Sequence, residues 1–134
     1  MPVAMAGESV LISSGLTDLV KELVHRPRPF VFNPDAPDAM KQESEAYVSF
    51  WSGHTANTAA LTFTCANILQ RSDVSPTTRT IGWIGAALIP AVVGYLRVEA
   101  GRHFPTDVLM GYAVGALVGF AVPYFHRPDK MPFQ

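Results

Sequence analysis

The chain has 134 residues, 49% of them hydrophobic and 16% charged, with a formal net charge of −1. That length allows one domain, residues 1–134, and its charge content lies well below the roughly 25% of an ordinary globular domain. A near-neutral balance excludes a general nucleic-acid binder, which needs a basic face to release counterions. A single cysteine, Cys65, excludes an intrachain disulfide framework and any multi-cysteine zinc site.

Mean hydropathy is only +0.19, but the charges are segregated from the apolar runs. Met1–Leu23 has no basic start and a broken apolar stretch, so it does not read as a secretory signal. Ser9–Val24 reads as the first helix, with Leu11, Leu16, Leu19, Val20 and Leu23 on an irregular face. It stops at His25-Arg26-Pro27-Arg28-Pro29, because proline disfavours helix at the residue before it. Phe30–Tyr47 is a polar loop containing Pro34, Asp35, Pro37, Asp38, Glu43 and Glu45.

Ser52 stands where an N-cap belongs, ahead of a His54–Gln70 helix. Arg71–Thr78 reads as a polar turn containing Pro76, and Thr80–Ala100 as a third helix kinked at Pro90. Phe104-Pro105-Thr106-Asp107 opens a fourth helix with a proline and an acid in its first turn, and His126-Arg127-Pro128 ends it. Thr55–Gln70, Thr80–Leu96 and Val108–Phe125 carry no Asp, Glu, Lys or Arg. The last run would span about 27 Å as a helix, close to the hydrocarbon thickness of a bilayer. Soluble helices spread charge along an exposed face, and these leave none. The expected fold is therefore all-α, a membrane-embedded bundle of about four helices, with no internal repeat, heptad or strand-like alternation. Thr55–Gln70, rich in Thr, Asn and Ala, is its poorest spanning segment. Gly111, Gly115 and Gly119 recur every four residues and would let another helix approach closely, which also offers a route to a homo-oligomer.

An up-and-down path brings Lys21, Arg28, Ser52, Gly53, His54, Arg97, His103 and Asp107 to one side of such a bundle. Three cations, two histidines and one carboxylate then meet where two helix N-termini point their N–H groups, an anion-binding constellation. The histidines offer a nucleophile and an acid, and Asp107 can orient one of them. Each residue also has a plainer reading. The cations could snorkel, the histidines could be core or cap residues, Arg97 could pair with Glu99, and Asp107 could complement a helix dipole.

Taken in order, Lys21-x6-Arg28-Pro29, Ser52-Gly53-His54 and Arg97-x5-His103-x3-Asp107 resemble the three-part signature of the type 2 phosphatidic acid phosphatases. That superfamily includes bacterial acid phosphatases and vanadium haloperoxidases. Trp51 replaces the usual proline before Ser52, and Leu96 the common serine before Arg97. The resemblance implies the C-terminal part of a six-helix core, because only twenty residues precede Lys21 where membrane-spanning members have two helices; the chain reads as N-terminally truncated or minimal. It implies a phosphatase acting on a phosphate monoester or diphosphate of a membrane lipid without a metal. His103 would be the nucleophile, Asp107 its orienting partner and His54 the leaving-group acid. Lys21, Arg28, Ser52, Gly53 and Arg97 would hold the phosphate.

No cofactor is expected, with vanadate an inhibitor. Two alternatives stay open: a haloperoxidase with vanadate as cofactor, or a catalytically incomplete membrane subunit packed through the glycine stripe. The site is expected at the periplasmic face of a bacterial inner membrane. Arg26 and Arg102 flank the site, as does His25, with a headgroup or solvent as partner. His126, Arg127 and Lys130 read as a membrane-edge cluster, Cys65 as a small core hydrophobe. Tyr47, Phe50, Trp51 and Phe104 form either an interfacial belt or a lipid entrance.

Overall fold

Serine hydroxyls and prolines mark where the long helices begin. In the computed structural model, which describes residues 2–126, these are α1 (Pro2–Leu23), a short α2 (Asp38–Gln42), α3 (Gly53–Arg71), α4 (Pro76–Glu99) and α5 (Pro105–Phe125). There is no strand among the described residues. Ser52 caps α3, its Oγ accepting the Thr55 N–H at 3.3 Å. Ser75 caps α4 in the same way, accepting from Thr78 at 3.1 Å.

Two boundaries differ from the sequence reading. Pro76, expected in the turn, is the first residue of α4, where its missing N–H costs nothing. The first helix starts at Pro2 rather than Ser9, because tertiary contacts extend it. Met5 packs on a core of Ala60, Val118 and Val122, and Glu8 meets His126 at 3.1 Å. His126 thus pairs with α1, while Arg127 and Lys130 lie outside the described residues. The polar segment before α3 holds 3-10 turns at Pro29–Phe32 and Ser44–Tyr47 as well as α2.

α3 is the centre of the bundle and packs against α1, α4 and α5. Its contact with α5 uses the glycine stripe. A Cβ on Gly111 would stand 2.5 Å from the Ser52 carbonyl oxygen, and one on Gly119 would stand 2.6 Å from the Phe63 Cβ. Gly115 sits as close to the Ala56 carbonyl. The stripe expected to let another helix approach closely does so within this chain, where α3 fills it. Close approach also lets polar groups pair between helices, with Ser9 Oγ and Thr64 Oγ1 2.6 Å apart and Asn67 Nδ2 donating to the Gly119 carbonyl at 3.2 Å.

The bundle is inverted relative to a water-soluble protein. Its interior holds Ser9, Ser13, Thr17, Thr55, Thr64 and Asn67, while Leu11, Leu19, Leu88, Val92, Leu109 and Leu117 face outward. Such a surface suits lipid rather than water. α1, α4 and α5 are each long and apolar enough to cross a membrane, whereas the central α3 is not among them. Cys65, expected in the core, is exposed. It falls on the face of α3 between α1 and α4, beside Leu61, Ile81 and Ile89, and neither helix covers it.

Candidate active site

The end of α1, the start of α3, the end of α4 and the start of α5 meet at one end of the bundle, stitched by backbone hydrogen bonds. Arg28 N donates to the Ala46 carbonyl at 2.7 Å, Ser49 N to that of Arg26 at 2.8 Å and Ser52 N to that of Asp107 at 3.0 Å. After α4 the chain reverses at Gly101, whose φ of +69° is open to glycine at little cost. That turn delivers His103 into the interior, where it is 1% exposed.

Arg28, 4% exposed, places Nη1 3.3 Å from His103 Nε2 and 3.0 Å from the Arg102 carbonyl. A guanidinium only donates, so this contact assigns Nε2 as the acceptor and the ring proton to Nδ1. Nδ1 faces Asp107 Oδ2 at 3.6 Å, beyond hydrogen-bond length, and has no hydrogen-bond partner among the described residues. Burial holds the His103 pKa below the ordinary histidine value. Arg28 and Arg97 push it the same way, and Asp107 opposes them.

Asp107 is completely buried. Its Oδ2 accepts from Ser49 Oγ and, at 2.8 Å, from the Phe104 N–H. Its Oδ1 accepts from Arg26 Nη1 at 2.9 Å. Arg26 also donates to Thr106 Oγ1 at 2.8 Å and lies over the Phe104 ring, 4.4 Å from its centroid. Arg26, expected to flank the site toward headgroup or solvent, is half-buried and paired with the buried Asp107, and Phe104 is the surface on which it rests. Sequence reading missed Ser49, and it named Arg26 only as a flanking residue without its pairing to Asp107. Arg26 and Asp107 stand 81 positions apart, and no local spacing connects them.

On the other side, His54 stands exposed in the first turn of α3. It lines a cleft of about 340 Å³ with Lys21, Gly53, Asn57, Thr58 and residues of α1. A Cβ on Gly53 would sit 3.9 Å from Lys21 Nζ, so the amine lies against the backbone of that turn. His54 is within electrostatic reach of Lys21, Arg28, Arg97 and His103. Of the eight residues expected at the site, Lys21, Gly53 and His54 thus share a cleft, Arg28, Arg97 and His103 lie within electrostatic reach of His54, and Asp107 stands buried beside His103. Ser52 differs, being fully buried with its hydroxyl turned to cap α3. Trp51 is no belt or entrance residue. It is 8% exposed, and its indole N–H donates to Thr17 Oγ1 at 2.7 Å. Arg102 lies 5.3 Å from the centre of the Phe30 ring, and His25 is exposed beside a neighbouring cleft with Asp18, Lys21 and Glu22.

The gathered charge suits a tetrahedral or trigonal-bipyramidal anion: three cations and a helix N-terminus around His54, and beside them a buried imidazole with its lone pair on Nε2. Among the described residues no three His, Cys, Asp or Glu side chains gather as a metal would require.

The family model described as the PAP2 superfamily matches residues 2–130. Phosphatidylglycerophosphatase B of Bacillus subtilis is 33% identical over 116 residues, which cover 86% of this chain and 53% of that protein. Decaprenylphosphoryl-5-phosphoribose phosphatase of Mycobacterium tuberculosis is 30% identical, over 88% of this chain and 58% of its own length. The chain thus spans little more than half the length of these relatives. The solved structure of a transmembrane PAP2-type phosphatidylglycerolphosphate phosphatase from Bacillus subtilis superposes with a TM-score of 0.66 at 27% identity, covering 99% of this chain and 70% of that one. With a family match along nearly its whole length and three helices able to span a bilayer, the chain belongs to the PAP2 superfamily and is an integral membrane protein.

Proposed function

We propose that this protein removes a phosphate from a membrane lipid by way of a phosphohistidine on His103, without a metal. The observation that carries the reading is the His103 ring, buried with Nε2 as an acceptor beside Arg28 and Nδ1 turned to Asp107. The relatives named as phosphatidylglycerophosphatase and decaprenylphosphoryl-5-phosphoribose phosphatase make a lipid phosphate the natural substrate class.

His103 Nε2 attacks phosphorus in line and the bond from phosphorus to the lipid oxygen breaks. His54, across the cleft, gives that oxygen its proton. Asp107 stabilises the imidazolium now carrying the phosphoryl group. Water then attacks phosphorus, His54 takes its proton, and phosphate leaves with His103 restored. Lys21, Arg28 and Arg97 balance the charge on the three equatorial oxygens with help from the Gly53 N–H, which suits a reaction governed by positioning and charge stabilisation. Ser52 acts from behind, holding the first turn of α3. Vanadate, which takes the same five-coordinate geometry, would occupy the site as an inhibitor.

The test is phosphate release from a short-chain phosphatidic acid in mild detergent and EDTA, comparing the wild type with His103→Ala. Both proteins are first shown folded by helical circular dichroism and a single gel-filtration peak. Release by the wild type, blocked by vanadate and abolished in the variant, is expected. Equal release by both proteins would remove His103 as nucleophile, and dependence on added magnesium would remove the metal-free mechanism.

A further inference from the structure

We infer that Arg26 and Ser49 are positioning residues that clamp Asp107 so that Oδ2 stays turned toward Nδ1 of His103; the inference rests on the proposed role of His103 as nucleophile. The carboxylate is held from both sides. Arg26 Nη1 takes Oδ1 at 2.9 Å, while Ser49 Oγ and the Phe104 N–H take Oδ2. The clamp closes on itself, because the Ser49 N–H donates to the Arg26 carbonyl at 2.8 Å. Arg26 is itself fixed by Thr106 and by the Phe104 ring, so it is no mobile surface cation.

His103 cannot supply this orientation. At 3.6 Å its Nδ1 is too far from Oδ2 to hold it, and Nδ1 has no hydrogen-bond partner among the described residues. Rotation of a carboxylate about its last bond is soft and roughly two-fold, so the direction of Oδ2 depends on the groups that grip both oxygens. Arg26 also supplies the ion pair that a fully buried carboxylate needs. Without it Asp107 would turn or take up a proton. Either change removes the anion that faces Nδ1–H and leaves Arg28 alone to oppose a proton on Nε2, the nitrogen that must attack phosphorus.

The experiment uses the full chain in detergent, labelled with ¹⁵N-histidine, with the His103 signals identified by their loss in His103→Ala. Without phosphate the wild type is expected to show the Nδ1–H tautomer, and Arg26→Gln a shift toward Nε2–H. On short-chain phosphatidic acid, Arg26→Gln should lower kcat on the order of tenfold with KM changed by less than about twofold, and Arg26→Lys should recover part of the loss. Wild-type His103 signals in Arg26→Gln would overturn the clamp, even if its melting temperature fell. The same spectra decide the matter if the wild type releases no phosphate, an outcome that would count against the phosphatase and leave the clamp standing or falling on the tautomer. Should Arg26→Gln fail to give a single gel-filtration peak, Ser49→Ala, which opens the other arm, is read by the same signals.

Discussion

His103 can attack phosphorus only while Nε2 keeps its lone pair, and its surroundings widen the pH range over which it does. Burial lowers its pKa most, Arg28 and Arg97 act the same way, and Asp107 opposes them. Protonation, which would end activity, therefore needs a lower pH than an ordinary histidine requires. The acid limb of kcat/KM is expected below pH ~6.5, the value for an unperturbed histidine. Asp107→Asn removes the one influence that raises the pKa, so the limb should move further toward acid. The same change should lower kcat by roughly 10³-fold, since nothing then stabilises the imidazolium. A pH–rate series on both proteins checks the sign; a limb that moves toward neutral pH would mean that Asp107 does not act on His103. The residues of this site differ in how legible they are. Lys21, His54, Arg97 and His103 stand out because their charge is out of place among apolar helices. Arg26 is as charged and sits between two of them in sequence, but its role depends on a buried partner at the far end of the chain. Ser49 and the inward turn of Ser52 depend in the same way on how α3 meets α5.

Helices in this bundle are placed by small residues, and the glycines separate into two kinds. Gly111 lies against the Ser52 cap of α3, and Gly115 and Gly119 against backbone or side-chain atoms of α3 itself, whereas a Cβ on Gly7 or Gly15 of α1 would meet nothing within 4 Å. Gly115→Ala is expected to destabilise by about 1–3 kcal/mol, because α5 would have to move off α3. Gly15→Ala should be neutral or stabilising by about 0.5–1 kcal/mol, since alanine loses less backbone freedom in a helix. Thermal unfolding in one detergent, followed by circular dichroism, compares the two; equal shifts would deny the α3–α5 contact. The four-residue spacing shows on inspection of the sequence that α5 offers a close-packing face, but not whose helix fills it. The same limit explains the boundaries. Ser52 as a cap follows from residue type alone, whereas Met5 and Glu8 belong to α1 because of contacts with α3 and α5, which periodicity cannot reveal.

At the scale of the whole molecule, the polar interior and apolar exterior make one substitution respond oppositely in water and in lipid. Leu88 lies near the middle of α4 and is 58% exposed. On a soluble protein, exchanging an exposed leucine for arginine changes stability by no more than about 0.5 kcal/mol. In a bilayer the same position faces hydrocarbon, where an arginine at the centre of a spanning helix costs about 2.5–3.5 kcal/mol on insertion scales. Leu88→Arg is therefore expected to reduce sharply the fraction of protein that resists an alkaline carbonate wash and floats with liposomes. Leu96→Arg, at the end of α4 nearest the site and 58% exposed, should be tolerated because the side chain can reach the interface. Equal retention of all three proteins would mean that the exposed face of α4 meets water or protein. A loss confined to Leu88→Arg would place that face in lipid and Arg97, one residue beyond Leu96, at the membrane surface, where a phosphate carried on a lipid would meet it.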